Sequence, residues 1–145
     1  MNNDRIWLEL YNIAHSKLDP REISPFVEAG GVAAAIMTDS NSIYTGVCID
    51  TACSLGMCAE RSAIANMITN GESRITRLVC VMGNGTVGSP CCACRELMMQ
   101  LSPCSSEIEI LTSLEPIKTV KLGELAPDWL SLIHISEPTR LRCIS

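Results

Sequence analysis

Two short segments limit what this chain can fold into: Cys58-Ala59-Glu60 and Pro90-Cys91-Cys92-Ala93-Cys94. Each stands at the head of a stretch with helical character. After the first, Ala63, Ile64, Met67 and Ile68 recur every three to four residues until Gly71 stops the run. After the second, CCACRELMMQL reads as another helix, and Pro90 sits near its start, where a missing N–H costs nothing. Two helix N-termini directed at one spot concentrate positive dipole ends there. That lowers thiol pKa values and favours the thiolate, the form that binds metal.

The remaining stretches supply a sheet for those helices. Ile6, Leu8, Leu10 and Ile13, spread among polar residues over 4–17, are compatible with an amphipathic helix. Pro20 and Pro25 punctuate a loop. GGVAAAIMT (30–38) reads as a buried strand, DSNS as a turn and IYTGVCI (43–49) as a second strand, so the pair predicts a hairpin. TRLVCVMG (76–83) is a strand between the two helices, and EIEILT and IKTVKL follow as strands on either side of a turn near Pro116. Strands alternating with helices over 145 residues predict one α/β domain. The expected architecture has three layers, α/β/α, with a mixed sheet of about five strands.

Taken alone, the Cys91–Cys94 CxxC is ambiguous between a redox pair and half of a zinc site. Cys58 supplies the other half. Three thiolates suit Zn²⁺, which prefers four tetrahedral N or S ligands, and three protein ligands leave one position open for water. Cys92 is the rival fourth ligand, but it lies between the other two on the same helical turn and is expected to point elsewhere. Glu60 turns such a site toward catalysis, because a carboxylate beside an activated water can take its proton and pass it on. Its structural alternative is a favourable charge at a helix N-terminus. Cys48, Cys53 and Cys80 read as small buried hydrophobes, and Cys104 as a core or surface thiol.

Composition narrows the setting. The net charge is −5 with no basic run, which argues against nucleic-acid or anionic-membrane partners. No stretch of about 20 apolar residues is present, and the N-terminus lacks a charged-then-apolar leader. Nine cysteines is an odd number, which weakens a disulfide framework. A soluble, cytoplasmic protein is expected.

Zinc deaminases carry a His or Cys followed by x-Glu, then Pro-Cys-x-x-Cys. With Cys58-Ala59-Glu60 and Pro90-Cys91-Cys92-Ala93-Cys94, the chain resembles the cytidine deaminase family, in the three-cysteine branch that also holds blasticidin S deaminases. The resemblance runs through most of residues 32–129. It implies one Zn²⁺ per chain on Cys58, Cys91 and Cys94, with Glu60 as the proton shuttle for hydrolysis at C4 of a cytosine ring. It further implies Arg61 and Arg95 as charge balance for the thiolates, and Cys48, Asp50, Ala59 and Ser89 as substrate contacts. The implied partner is a small nucleoside, and the implied assembly is a homotetramer.

The chain departs from that family at its ribose motif, at Gly30 or Gly31 where a Phe would stand, and in a loop to Cys58 that is one residue shorter. Where cytidine deaminases carry Asn-x-Glu for the ribose, this chain has Cys48-Ile49-Asp50, and a thiol cannot accept a hydroxyl as an amide can. A blasticidin-like or other modified cytosine nucleoside is therefore the alternative substrate, and a non-catalytic zinc-stabilised binding module the remoter one. The tail stands apart from the domain. Residues 130–145, LSLIHISEPTRLRCIS, back-translate into a transposon-end sequencing adapter from Leu130 through Arg140. The expected domain is 1–129, with 130–145 a non-native tail that removes His134 and Cys143 from the chemistry.

Overall fold

A computed structural model of the protein describes residues 3–130. The adapter-like segment, apart from Leu130, lies outside them. The described chain runs α1 (Asn3–His15), β1 (Arg21–Ser24), β2 (Val27–Thr38), β3 (Ile43–Thr51), α2 (Ala59–Thr69), β4 (Ile75–Met82), β5 (Val87–Gly88), α3 (Cys92–Leu101), a 3-10 turn (Ser105–Glu107), β6 (Glu109–Leu114), β7 (Ile117–Lys121) and α4 (Leu122–Leu125).

β2 organises the sheet. β3 lies along one of its edges, and β1 and β4 pair with the other, all antiparallel. β6 joins β4 in parallel and β7 closes antiparallel on β6, so the sheet is mixed. The hairpin expected at DSNS is present, and Asn41 takes the positive φ (65°) that its turn requires.

The sheet has seven strands rather than about five. β1 fell in the segment read as a proline-punctuated loop. It is an exposed edge strand without the buried alternation that marks a strand in sequence. β5 has only two residues, too few for any period.

The period of two within each strand builds the layers. Ala34 and Ile36 of β2, Leu78 of β4 and Ile110 of β6 join a buried cluster with Ala63, Ile64 and Met67 of α2 and Cys94 and Met98 of α3. Their neighbours Ala35, Met37, Val79, Val81 and Leu111 face the other way, onto Trp7, Leu10 and Ala14 of α1. Helices thus cover both faces, as the three-layer reading requires. Each fully buried Leu or Ile stabilises the fold by ~1.5–3 kcal/mol.

α2 sits unusually close to β3. A Cβ at Gly46 would lie 2.2 Å from the Ala63 nitrogen, so only glycine allows that approach. Gly30, at φ +85°, accompanies the break in β2 pairing between Ala29 and Ala33. Gly31 and Val32, in that irregular stretch, line a cavity that also takes in Cys58 and Glu60.

Candidate metal and catalytic centre

Cys58 and Cys91 are the N-cap residues of α2 and α3, with extended backbone (φ −68°, ψ 155° and φ −70°, ψ 169°). Neither thiol caps its own helix, so both sulfurs are available. Cys94 lies three residues into the second motif and shares a face with Cys91. The Cys58 and Cys91 sulfurs are 3.3 Å apart, those of Cys91 and Cys94 3.5 Å, and all three lie within 4.8 Å of one another. Sulfurs held tetrahedrally at about 2.3 Å from zinc would be ~3.8 Å apart. The cluster therefore fits one Zn²⁺.

The electrostatics point the same way. Burial pushes the Cys58 thiol up, and the neighbouring Cys91 adds to that. Burial and the Glu60 carboxylate push Cys94 up strongly. At Cys91 burial opposes ionisation, but the Cys94 backbone N–H and the adjacent thiols bring its pKa below the ordinary value. Several acidic groups thus compete for charge in one small volume. A divalent cation resolves that conflict by favouring all the ionised forms together.

Glu60 is 3% exposed and stands beside the cluster. Burial raises its carboxyl pKa, offset in part by its own backbone N–H and by the Cys80 and Cys94 thiols. A buried carboxyl with an elevated pKa is suited to exchanging a proton with an adjacent water. Arg61 places Nη2 4.0 Å from the Cys58 sulfur, which raises the guanidinium pKa further. This contact places a cation beside the thiol cluster. The Arg61 Nε is buried without a hydrogen-bond partner.

These groups sit in the wall of a cavity of about 500 Å³, which Cys48, Asp50, Ala59 and Ser89 also line. Cys48 is buried. Its sulfur accepts the Val32 N–H at 3.2 Å and donates to Asp50 Oδ2 at 3.8 Å. All the site residues expected from sequence reach this cavity or its thiol cluster except Arg95. Its guanidinium donates to oxygens of Ser89, Pro90 and Leu125, so its contacts are with neutral groups and not with thiolates. Cys92 is exposed and turns into a separate cleft beside Trp129, leaving three thiols in the cluster.

Three cysteines differ from their sequence reading. Cys104, read as a core or surface thiol, is disulfide-bonded. Cys53 is exposed at the cavity rather than buried, because its loop lies outside the sheet. Cys80 is buried as expected, but it lines the cavity and meets Glu60, which with burial drives its thiol far up. The signal was in the strand period, since Cys80 falls two residues after Leu78, on the face toward α2 and α3.

The family profile described as "Cytidine and deoxycytidylate deaminase zinc-binding region" matches residues 21–111. A cytidine deaminase from Mycobacterium tuberculosis is 29% identical over 110 residues, covering 75% of this chain and 79% of that protein. One from Halalkalibacterium halodurans is 29% identical over 98 residues, 66% of this chain and 74% of that one. The crystal structure of the Mycobacterium tuberculosis cytidine deaminase superposes with a TM-score of 0.72 at 28% identity, over 87% of this chain and 98% of that one.

Proposed function

The chain belongs to the cytidine and deoxycytidylate deaminase family, and from that premise we propose that it removes the exocyclic amine of a cytosine ring in a free nucleoside. It is a zinc-dependent hydrolase acting on cyclic amidines. The observation that carries the substrate reading is the buried Glu60 carboxyl beside three clustered thiols in a cavity of nucleoside size.

Cys58, Cys91 and Cys94 would hold the ion, and Arg61 would offset their excess charge. When bound, Zn²⁺ supplies Lewis-acid activation of the attacking water. Glu60 would take one proton from that water as its oxygen bonds to C4 and pass it to ring N3; it would then take the second proton from the new C4 hydroxyl and give it to the amine as the C4–N bond breaks. Water and the cytosine ring are thereby converted to the uracil form and ammonia. Ser89 and Ala59 present backbone groups to the base, while Cys48 and Asp50 face its N1 substituent.

A second substrate reading rests on Cys48. Its thiol is already engaged by Val32 and Asp50, leaving a single carboxylate for a sugar hydroxyl. A modified cytosine nucleoside, as in blasticidin S, would satisfy such a wall. The test is kcat/KM for cytidine, deoxycytidine and a cytosine nucleoside antibiotic, followed by ammonia release. Relaxed sugar selectivity supports this reading; a strong cytidine preference abolished by Asp50→Ala would sink it. No turnover of any cytosine nucleoside would sink the function itself.

Ile23, Phe26 and Leu55 are 58%, 71% and 81% exposed, on β1, the turn after it and the loop after β3. Assembly into a homotetramer, which the family resemblance implies, is part of the proposal, and these exposed side chains are candidates for its contacts. The cytoplasm is the proposed location; seven of the eight cysteines among the described residues are free thiols, and Cys104 is disulfide-bonded. No helix among these residues is long and apolar enough to cross a membrane.

A further inference from the structure

We propose that Arg95 is a positioning residue, whose guanidinium ties the turn carrying the ligand Cys91 to the C-terminal segment and so fixes one ligand and one wall of the cavity. The inference rests on the reading of Cys58, Cys91 and Cys94 as zinc ligands.

Arg95 Nε donates to the Pro90 carbonyl at 2.8 Å, Nη2 to the Ser89 hydroxyl at 3.1 Å and Nη1 to the Leu125 carbonyl at 3.2 Å. All three acceptors are neutral oxygens, drawn from two stretches of chain far apart in sequence. A planar fork of fixed donors suits such an arrangement, whereas an ammonium on a flexible stem does not reproduce it. Charge compensation for the thiols comes instead from Arg61, the guanidinium close to Cys58.

Two of the three anchors, Ser89 and Pro90, are the residues leading into Cys91. Pro90 is buried and has no N–H of its own, and Ser89 lines the cavity. Cys91 is exposed and its thiol makes no cap bond to α3. Its sulfur is therefore placed by the backbone of residues 89–91, and Arg95 is the side chain that grips that backbone.

The third anchor, Leu125, ends α4 and packs against the core beside fully buried Leu122. The same stretch returns to α3 where Leu130 N–H donates to Glu96 Oε1 at 2.9 Å. Arg95 and Glu96, neighbours on α3, thus hold both ends of residues 125–130. Arg95 carries that link through to the ligand turn.

The test compares Arg95→Lys, which keeps the charge and loses the fork, with Arg95→Met, which loses both. The readouts are zinc transfer from the loaded protein to a chromogenic chelator and the thiolate absorption bands of the cobalt(II)-substituted protein. Both variants are expected to release zinc roughly 10–100-fold faster than the parent, with matching band shifts, so that Lys gives no rescue. A Lys variant that behaves as the parent while Met does not would overturn the proposal in favour of charge. Two variants that both behave as the parent would overturn it outright.

Should neither variant fold, the ¹⁵N-labelled zinc-loaded parent decides. A slowly exchanging Arg95 Nε–H supports the tie to Pro90, and exchange as fast as that of exposed Arg21 overturns it. A parent that holds no zinc would remove the ligand assignment and this inference with it. A zinc-loaded parent with unaffected variants removes this inference alone.

Discussion

Gly46→Ala tests how tightly the catalytic helix is seated. The added Cβ would lie 2.2 Å from the Ala63 nitrogen and 2.7 Å from the Ala59 carbonyl oxygen, where ordinary contact begins near 3.4 Å. Both are backbone atoms of α2, so no side chain can swing aside. The helix must retreat by about 1.2 Å relative to β3. Overpacking of this kind costs ~1–3 kcal/mol, equivalent to a fall in melting temperature of about 4–12 °C for a domain this size. α2 also carries Glu60 and starts at Cys58, so the retreat moves the carboxyl and one ligand away from Cys91 and Cys94. A displacement of about 1 Å at reacting groups costs on the order of 10² in rate. The assay is kcat and zinc content beside a thermal melt, with Gly71→Ala as the control. Gly71 has φ +88° but nothing within 4 Å of the added Cβ, so the control should lose stability and keep its specific activity. A Gly46→Ala protein with the parent's kcat would refute the claim that α2 is held by this contact.

Three further outcomes are expected. Hydrogen bonds from the Ser40 and Tyr44 hydroxyls hold the Glu72 carboxyl at a pKa of about 2, below its ordinary 4.5. A depressed folded pKa contributes stability above the unfolded value that is lost as pH falls from about 4.5 toward 2. Glu72→Gln should flatten the acid limb of a pH–stability curve over that window, and an unchanged limb would count against the network. Cys91→Ser should abolish stoichiometric zinc while Cys92→Ser keeps about one ion per chain, and metal analysis showing both equally depleted would make Cys92 a ligand. A chain cut after Leu130 should keep its zinc and melting temperature if the remaining tail is adapter-derived. A cut after Asp128 should lower the melting temperature, because Trp129 packs against the core.

The sequence exposed its chemistry more fully than its sheet. Cys58, Cys91 and Cys94 were legible because ligand spacing and helix starts are local properties, and the N-cap geometry follows from them. The central strands were legible because burial on both faces leaves apolar runs such as that over 30–38. β1 was not, since an exposed edge strand between two prolines has no burial pattern to read. The hydrogen bonds of Arg95 were not legible, because charge next to a cysteine motif suggests electrostatics, while its acceptors at Pro90 and Leu125 are backbone carbonyls that no side-chain pattern reveals. Cys80 was read only as core because its meeting with Glu60 depends on how α2 lies across β4.

The central claim is that Glu60 moves the protons of a zinc-dependent hydrolysis. Its most direct test is single-turnover deamination by Glu60→Gln, measured with zinc content on the same sample. The account predicts about one zinc per chain and a rate lower by ~10²–10⁴, the usual worth of a general acid–base group. A zinc-loaded Glu60→Gln protein that turns over as fast as the parent would contradict it.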